Sequence, residues 1–204
     1  MKRVATALIP FLFAAIAAGQ QTGLTDAQQK SAEAEVPRLM QILELKPGMT
    51  IADVGAGFGA WTTRFSRALG PKGHVFANDI GAQQLTFLRE WVKKEGLTNV
   101  TVVEGAPGNT NLPNLCCDAI LIRDAYHHLT QPDDIIRSFA AALKPGGRIL
   151  ECTPWKREKT YLFKRNPEWD IHLPPSQEMA DAMRACGMRP VADAKRGLWE
   201  RVPG

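Results

Sequence analysis

The sequence predicts an α/β domain built on a mostly parallel sheet with helices on both faces. From Met49 to Cys152, short apolar segments alternate with helical segments. The strand segments are apolar at nearly every position, which is typical of strands buried on both sides in a parallel sheet. The chain has 204 residues, 45% of them apolar and 23% charged, as expected of one globular domain.

Residues 1–19 have the layout of a secretory signal peptide. Lys2 and Arg3 form a positive head, and the uncharged segment Val4–Ala18 follows. That segment of about 15 residues is shorter than the roughly 20 needed to span a membrane. We therefore predict export to the periplasm or the exterior, with a mature domain over residues 20–204. The alternatives are an uncleaved anchor, which would associate the chain with a membrane, and a first helix packed on the domain.

The charge and the cysteines argue against several classes of function. Without Lys2 and Arg3, 23 basic residues face 21 acidic ones, an excess too small to indicate nucleic-acid binding. The four cysteines show neither CxxC spacing nor the spacing of a disulfide framework, so we predict no metal site. We expect small, buried, apolar side chains at Cys116, Cys117, Cys152 and Cys186. The sequence assigns no oligomeric state.

The elements follow one another with clear boundaries. Thr25-Asp26-Ala27-Gln28 is a capping box that begins a helix, and Pro37 is expected to interrupt that helix or begin a second one, which ends at Lys46-Pro47-Gly48. Strands are predicted at Met49–Val54, His74–Ala77, Val100–Val103, Asp118–Ile122 and Arg148–Cys152. Helices are predicted at Ala60–Leu69, Ala82–Lys94, after the capping pattern Thr130-Gln131-Pro132-Asp133, and at Gln177–Ala185. The segment between Glu104 and Leu115 is predicted as a loop, and one or two short strands fit after Val191.

The stretch IADVGAGFGAWT, Ile51–Thr62, joins the first predicted strand to a helix through three glycines. Glycine permits backbone conformations closed to other residues and lets a ligand approach closely. The loop reads GxGxG, which is neither the dinucleotide pattern GxGxxG nor a Walker loop. Asp53 argues against a phosphate in direct contact and favours a ligand that carries positive charge, or one whose amino group needs an acceptor. The alternative is a tight turn without a ligand.

A second acid follows the second predicted strand. Asp79 lies about 25 residues after the glycine loop begins, where an acid can accept hydrogen bonds from ribose hydroxyls. The alternative role for Asp79 is to cap the next helix.

These segments together resemble the class I S-adenosylmethionine-dependent methyltransferases. The resemblance is carried by DVGAGFG, FANDI, VTVVEGA, CDAILIRDAYHHL and LKPGGRILE, in that order. It is closest to small methyltransferase-domain proteins in which the fourth strand runs into Asp-x-Tyr-His-His. The resemblance implies a Rossmann-like, doubly wound sheet of six to seven strands, the last one antiparallel, with S-adenosyl-L-methionine as the cofactor.

The resemblance also implies which residues hold the cofactor. The methionine part would lie in the loop formed by Asp53, Gly55, Ala56, Gly57 and Gly59. Asp79 would hold the ribose and Ile80 would contact the adenine, which Gly105 and Ala106 would border. Arg123 and Asp124 would lie near the sulfonium centre. The helix around Glu33–Leu43 would close the site from the other side.

Candidate catalytic and substrate residues lie after the fourth and fifth strands. A histidine at the ligand edge can act as a general base near neutral pH, and the candidates are His127 and His128, with Tyr126 lining the transfer channel. The alternative is that these side chains pack, cap or face solvent. Trp155 and His172 are candidate substrate contacts in the segment after the fifth strand.

The sequence thus predicts a methyltransferase that acts on a small-molecule or lipid-like acceptor. One alternative is a module that binds S-adenosylmethionine without catalysis. Another is an NAD-dependent oxidoreductase, against which the GxGxG spacing argues.

Overall fold

The computed structural model describes residues 23–152, 177–191 and 198–202. In chain order its strands are β1 Thr50–Val54, β2 His74–Asp79, β3 Val100–Glu104, β4 Cys117–Arg123, β5 Leu143–Cys152, β6 Met188–Pro190 and β7 Leu198–Arg201. Its helices are α1 Asp26–Ile42, α2 Ala60–Leu69, α3 Ala82–Lys94, α4 Pro132–Ala142 and α5 Gln177–Ala185, with a short 3₁₀ helix at Tyr126–His128. Within these ranges no helix is both long enough and apolar enough to cross a membrane.

The seven strands form one sheet in the order β3-β2-β1-β4-β5-β7-β6. Strands β1 to β5 pair in parallel, and β7 runs antiparallel to both β5 and β6. The predicted α/β class, the six to seven strands and the antiparallel final strand are confirmed. The chain order reverses between β1 and β4, and such a switch point opens a crevice at the carboxyl ends of the strands, where open α/β sheets bind ligands.

The core lies on both faces of this sheet because successive strand residues point to opposite sides. On one face Ile120 and Ile122 pack with Phe139 of α4. On the other face Ile51 and Leu121 pack with Phe65 of α2 and with α1. Both strands adjacent to the switch point are therefore buried on two sides, which explains their continuous apolar sequence.

Two helix boundaries differ from the sequence expectation. Helix α1 continues through Pro37, and Val36 and Leu39 on its buried face pack on the core. Packing of an apolar face offsets the backbone hydrogen bond that a proline removes. Helix α4 begins after Gln131, and Thr130 does not cap it. Pro132 in the first turn has no N–H, so that end has one donor fewer to satisfy.

Candidate active site

The glycine loop after β1 is built from three glycines with different surroundings. Gly55, Gly57 and Gly59 all have positive φ angles, of 73°, 56° and 84°, a region that side chains other than glycine rarely adopt. A Cβ atom at Gly55 would lie 2.4 Å from the Cβ of Ala125, and one at Gly59 would lie 2.8 Å from Leu88 Cδ2. A Cβ at Gly57 would meet nothing within 4 Å. Gly55 and Gly59 thus permit close packing, whereas Gly57 borders open space.

Asp79 holds this open part of the loop in place. Its Oδ2 accepts a hydrogen bond of 2.8 Å from the Gly57 N–H, and its Oδ1 accepts bonds of 2.8 and 2.9 Å from the N–H groups of Ile80 and Gly81. The sequence predicts either ribose binding or helix capping for Asp79. The geometry shows that the carboxylate already joins the end of β2 to the glycine loop and to the residues before α3. Any ribose would share this carboxylate with the backbone.

Asp53 lies beneath the loop and is 3% exposed. Its Oδ2 accepts a hydrogen bond of 2.7 Å from the Thr62 hydroxyl. Thr62 lies in the first turn of α2, whose N-cap residue Gly59 has no side chain to offer. The carboxylate therefore serves the amino end of that helix, where negative charge is favourable. Burial raises the pKa of Asp53 to about 6, although the bond from Thr62 and the charge of Arg123 lower it.

Arg123, at the end of β4, lies in a stacked and paired position. Its guanidinium carbon is 3.8 Å from the centre of the Trp61 ring. Its Nε donates a hydrogen bond of 3.0 Å to Glu35 Oε2, which also accepts a bond of 3.0 Å from Trp61 Nε1. The two charged side chains are 18% and 7% exposed. This pair ties α1 to the carboxyl end of β4.

Glu35, Trp61 and Thr62 were not among the predicted site residues. Glu35 lies on the face of α1 that also buries Ala32, Val36 and Leu39. A carboxylate at helical spacing among apolar residues is a readable signal, because glutamate is rarely buried unless it has a partner. The partner itself, 88 residues further along, was not readable from the sequence.

The backbone around the predicted adenine border forms a tight turn. Ala106 and Asn109 form an isolated antiparallel bridge, and the Gly105 N–H donates a hydrogen bond of 2.9 Å to the Asp79 carbonyl. Buried Asn78 fixes this turn from below, since its Nδ2 donates to the carbonyls of Val103 and Thr110.

Two features near Gly105 and Ala106 are relevant to the predicted binding of adenine there. Ile80 is 59% exposed, which leaves a large apolar side chain available to a planar ligand. A cleft of about 670 Å³ lies between the 106–114 loop and α4. Ala106, one of the predicted cofactor-binding residues, lines this cleft.

The remaining predicted residues occupy the turn after β4 or lie outside the described ranges. Asp124 is exposed and has a positive φ of 54°, and its N–H donates to the Cys152 carbonyl. Tyr126 is half-buried against the core and His128 is exposed. The backbone of His127 lies in the 3₁₀ helix, but its side chain lies outside the description. Ala56 in the glycine loop is buried, and it packs with Ala77 of β2 and Leu88 of α3.

Trp155, His172 and the segment 1–19 lie outside the described residues. In the part of the chain that is described, no group of three or more His, Cys, Asp or Glu side chains is placed to hold a metal ion. The catalytic and substrate assignments remain predictions.

The fold is of the class I S-adenosylmethionine-dependent methyltransferase type, a seven-stranded, mostly parallel sheet covered by helices. Residues 51–147 match the family model described as a methyltransferase domain. That segment runs from β1 into β5 and includes the glycine loop, Asp79 and the turn after β4.

Curated relatives and solved structures agree with this class. The chain is 32% identical over 152 residues to the ubiquinone/menaquinone biosynthesis C-methyltransferase UbiE of Vibrio cholerae. The aligned segment covers 74% of this chain and 58% of the relative. It is 30% identical over 137 residues to the enzyme of that name from Pseudomonas aeruginosa, covering 67% and 54%. The chain thus spans less than two thirds of the length of these relatives.

Among solved structures, a SAM-dependent methyltransferase from Aquifex aeolicus superimposes with a TM-score of 0.65 at 23% identity, covering 87% of this chain and 96% of the other. A Haemonchus contortus N-methyltransferase in complex with phosphomonomethylethanolamine and S-adenosylhomocysteine gives a TM-score of 0.60 at 21% identity, covering 78% and 37%. The cyclase SpnF gives 0.63 at 20% identity, covering 80% and 60%. At these identities the likeness concerns the fold.

Proposed function

We propose that the chain binds S-adenosylmethionine across the carboxyl ends of β1, β2 and β4 and transfers its methyl group to a small-molecule or lipid-like acceptor. The observation that carries this proposal is the open space over Gly57, whose N–H is fixed by Asp79. Open space at a glycine of positive φ also occurs in ordinary turns, but here it lies at the carboxyl edge of the sheet beside the Asp79 carboxylate, where open α/β sheets bind ligands. The matched methyltransferase domain contains this loop.

The charges of the described residues suit such a ligand. The cofactor, when bound, supplies a methyl group activated by a cationic sulfur. Asp53 and Asp79 provide carboxylates beside the loop, while the positive charge of Arg123 is held by Glu35. A cation near two carboxylates is stabilised, and it also favours the ionised form of Asp53. The protein's main task is then to align the acceptor with the methyl group.

For the acceptor, we propose a carbon atom of a quinone-type lipid precursor as the first class to test. Support comes from the relatives named as ubiquinone/menaquinone biosynthesis C-methyltransferases. A carbon acceptor loses a proton during methylation, so a base at the carboxyl end of β4 would serve it. His127 and His128 are the predicted candidates for that base, and Tyr126 is predicted to line the transfer channel. Trp155 and His172 are the predicted substrate contacts.

Calorimetric titration with S-adenosylhomocysteine tests the site. We expect wild type to bind, and Gly57→Ala and Asp79→Ala to lose at least about tenfold in affinity, or about 1.4 kcal/mol. Gly96→Ala is the matched control, because Gly96 also has a positive φ, of 63°, and open space around its missing Cβ, but lies at the end of α3. Equal affinity in all four proteins would place the ligand elsewhere.

Turnover separates the proposal from its alternatives. The related fold of a cyclase shows that fold alone does not fix the reaction. We expect methyl transfer from S-adenosylmethionine to at least one member of a panel of quinone precursors and lipid phenols. Binding without turnover over the panel would favour a non-catalytic module, and thermal stabilisation by NAD but not by S-adenosylhomocysteine would favour an oxidoreductase.

We further propose that residues 1–19 direct export and are removed, with membrane anchoring by an uncleaved segment as the alternative. The layout of a charged head followed by an apolar run supports this. Sequencing the amino terminus of the mature chain after cell fractionation tests it. A retained segment on a domain that is protected from external protease would contradict export.

A further inference from the structure

Cys116 and Cys117 lie at the start of β4, at the opposite end of that strand from the candidate active site. Their sulfur atoms are 2.8 Å apart and in hydrogen-bond contact. The sequence predicts small, buried, apolar side chains at all four cysteines, and Cys152 fits that prediction. The contact between these two sulfurs does not follow from burial alone.

The two thiols differ in access and environment. Cys117 is fully buried in the core beside Leu143 of β5. Cys116 is half-buried and packs on the same core from outside. The hydrogen bond from Cys117 lowers the pKa of Cys116, and the positive charge of Lys144 lowers it further. The same bond and burial raise the pKa of Cys117. Cys116 is therefore the more accessible sulfur and the one that ionises more readily, with a second sulfur directly behind it.

We propose that Cys116 and Cys117 are a reactive vicinal dithiol, a site of reversible disulfide formation by thiol–disulfide exchange with a small disulfide such as oxidised glutathione. The Cys116 thiolate attacks one sulfur of the oxidant and expels one thiolate. Cys117 then attacks Cys116, its proton passes to the second departing thiolate, and a bond joins the two sulfurs. One oxidant molecule is reduced to two thiols, and the dithiol loses two electrons and two protons.

The geometry of neighbouring residues makes this bond labile. Adjacent Cα atoms across a trans peptide are about 3.8 Å apart, and disulfides usually join Cα atoms about 4.4–6.8 Å apart. A Cys116–Cys117 disulfide is therefore strained, and strained disulfides are the easily reduced ones. The backbone here is already irregular, because Leu115 has a positive φ of 53° and the pairing of β4 with β5 shifts register between Cys117 and Ala119. The site thus suits a reversible modification and not a structural crosslink.

Peptide mapping after oxidation tests the proposal directly. Cleavage after Lys and Arg releases Glu95–Arg123 as one peptide, which holds both thiols and neither Cys152 nor Cys186. After treatment of the native protein with oxidised glutathione and trapping of free thiols, we expect this peptide to be lighter by two hydrogens, uncrosslinked to any other peptide, and restored by dithiothreitol. Recovery of the peptide with both thiols trapped, or with stable glutathione on Cys116, would overturn the proposal.

Variants assign the roles of the two sulfurs. Cys117→Ser should accumulate glutathione on Cys116, and Cys116→Ser should lose at least tenfold in its rate of reaction with the oxidant. Cys186→Ser is the control, because Cys186 is also half-buried against the core, and it should form the Glu95–Arg123 product at the wild-type rate. Loss of the product in Cys186→Ser would show that the disulfide uses another partner. Wild-type mapping decides the outcome even if Cys117→Ser does not fold.

Discussion

Replacing Asp53 with asparagine should stabilise the ligand-free protein. The carboxylate is almost fully buried, and burial raises its pKa from 3.8 to about 6. The folded state therefore binds the Asp53 proton more tightly than the unfolded state does. The free energy of unfolding consequently falls as pH rises from about 4 to about 6, and this contribution is constant at higher pH. Asparagine has a similar shape, caps a helix as well as aspartate does, and carries no charge.

The size of the effect follows from the two pKa values. A difference of about two units at 1.36 kcal/mol per unit makes the ionised carboxylate cost about 3 kcal/mol of stability at pH 8. At pH 5 most folded molecules are protonated, and the cost falls to about half of that. The free energy of unfolding of Asp53→Asn should thus exceed that of wild type by about 3 kcal/mol at pH 8 and by about 1.5 kcal/mol at pH 5.

Urea unfolding of the two ligand-free proteins at both pH values measures this difference. Asp133→Asn is the control, because Asp133 is exposed and should change the free energy of unfolding by no more than about 0.5 kcal/mol at either pH. An Asp53→Asn protein that is less stable than wild type, or equally stabilised at pH 5 and pH 8, would refute the argument that the buried charge is costly.

Three further outcomes are expected. Wild-type affinity for S-adenosylmethionine should rise between pH 5 and pH 7.5, as Asp53 ionises to meet the cationic sulfonium, and calorimetry should show that Asp53→Asn lacks this rise. Glu35→Gln should lower the free energy of unfolding, measured in urea, by about 1–3 kcal/mol, because the buried Arg123 loses its charged partner. The control Glu33→Gln, in an exposed ion pair with Arg64, should lower it by at most about 1 kcal/mol. Leu88→Ala should lower the free energy of unfolding by about 2–5 kcal/mol, because Leu88 is fully buried against the glycine loop. A decrease below about 1 kcal/mol would mean that the loop does not pack on α3.

Regular elements were predictable from the sequence because their signals are local. Helices Ala60–Leu69, Ala82–Lys94 and Gln177–Ala185 have the bounds that the sequence predicts. Apolar runs and flanking turn residues are sufficient to place such elements. Pro37 shows where a local rule fails, since the packing of α1 on the core decides whether that helix continues.

The candidate site was predictable in part. Asp53, the glycines and Asp79 follow strands in the sequence, and parallel strands bring their carboxyl ends to one edge, so their proximity could be inferred. Their individual roles could not. The sequence treats the three glycines alike, but the contacts of Ala125 and Leu88 separate Gly55 and Gly59 from the open position at Gly57.

The sequence by itself determined the α/β class, the order of the elements and the edge of the sheet where acids and glycines gather, because each depends on residues close together in the chain. Only the tertiary structure decided that Arg123 pairs with Glu35 and stacks on Trp61. It also decided that Asp53 is buried enough to raise its pKa, and that the sulfurs of Cys116 and Cys117 are in contact. Charge, burial and contact distance depend on everything packed around a group. Those neighbours come from distant parts of the chain that only folding brings together.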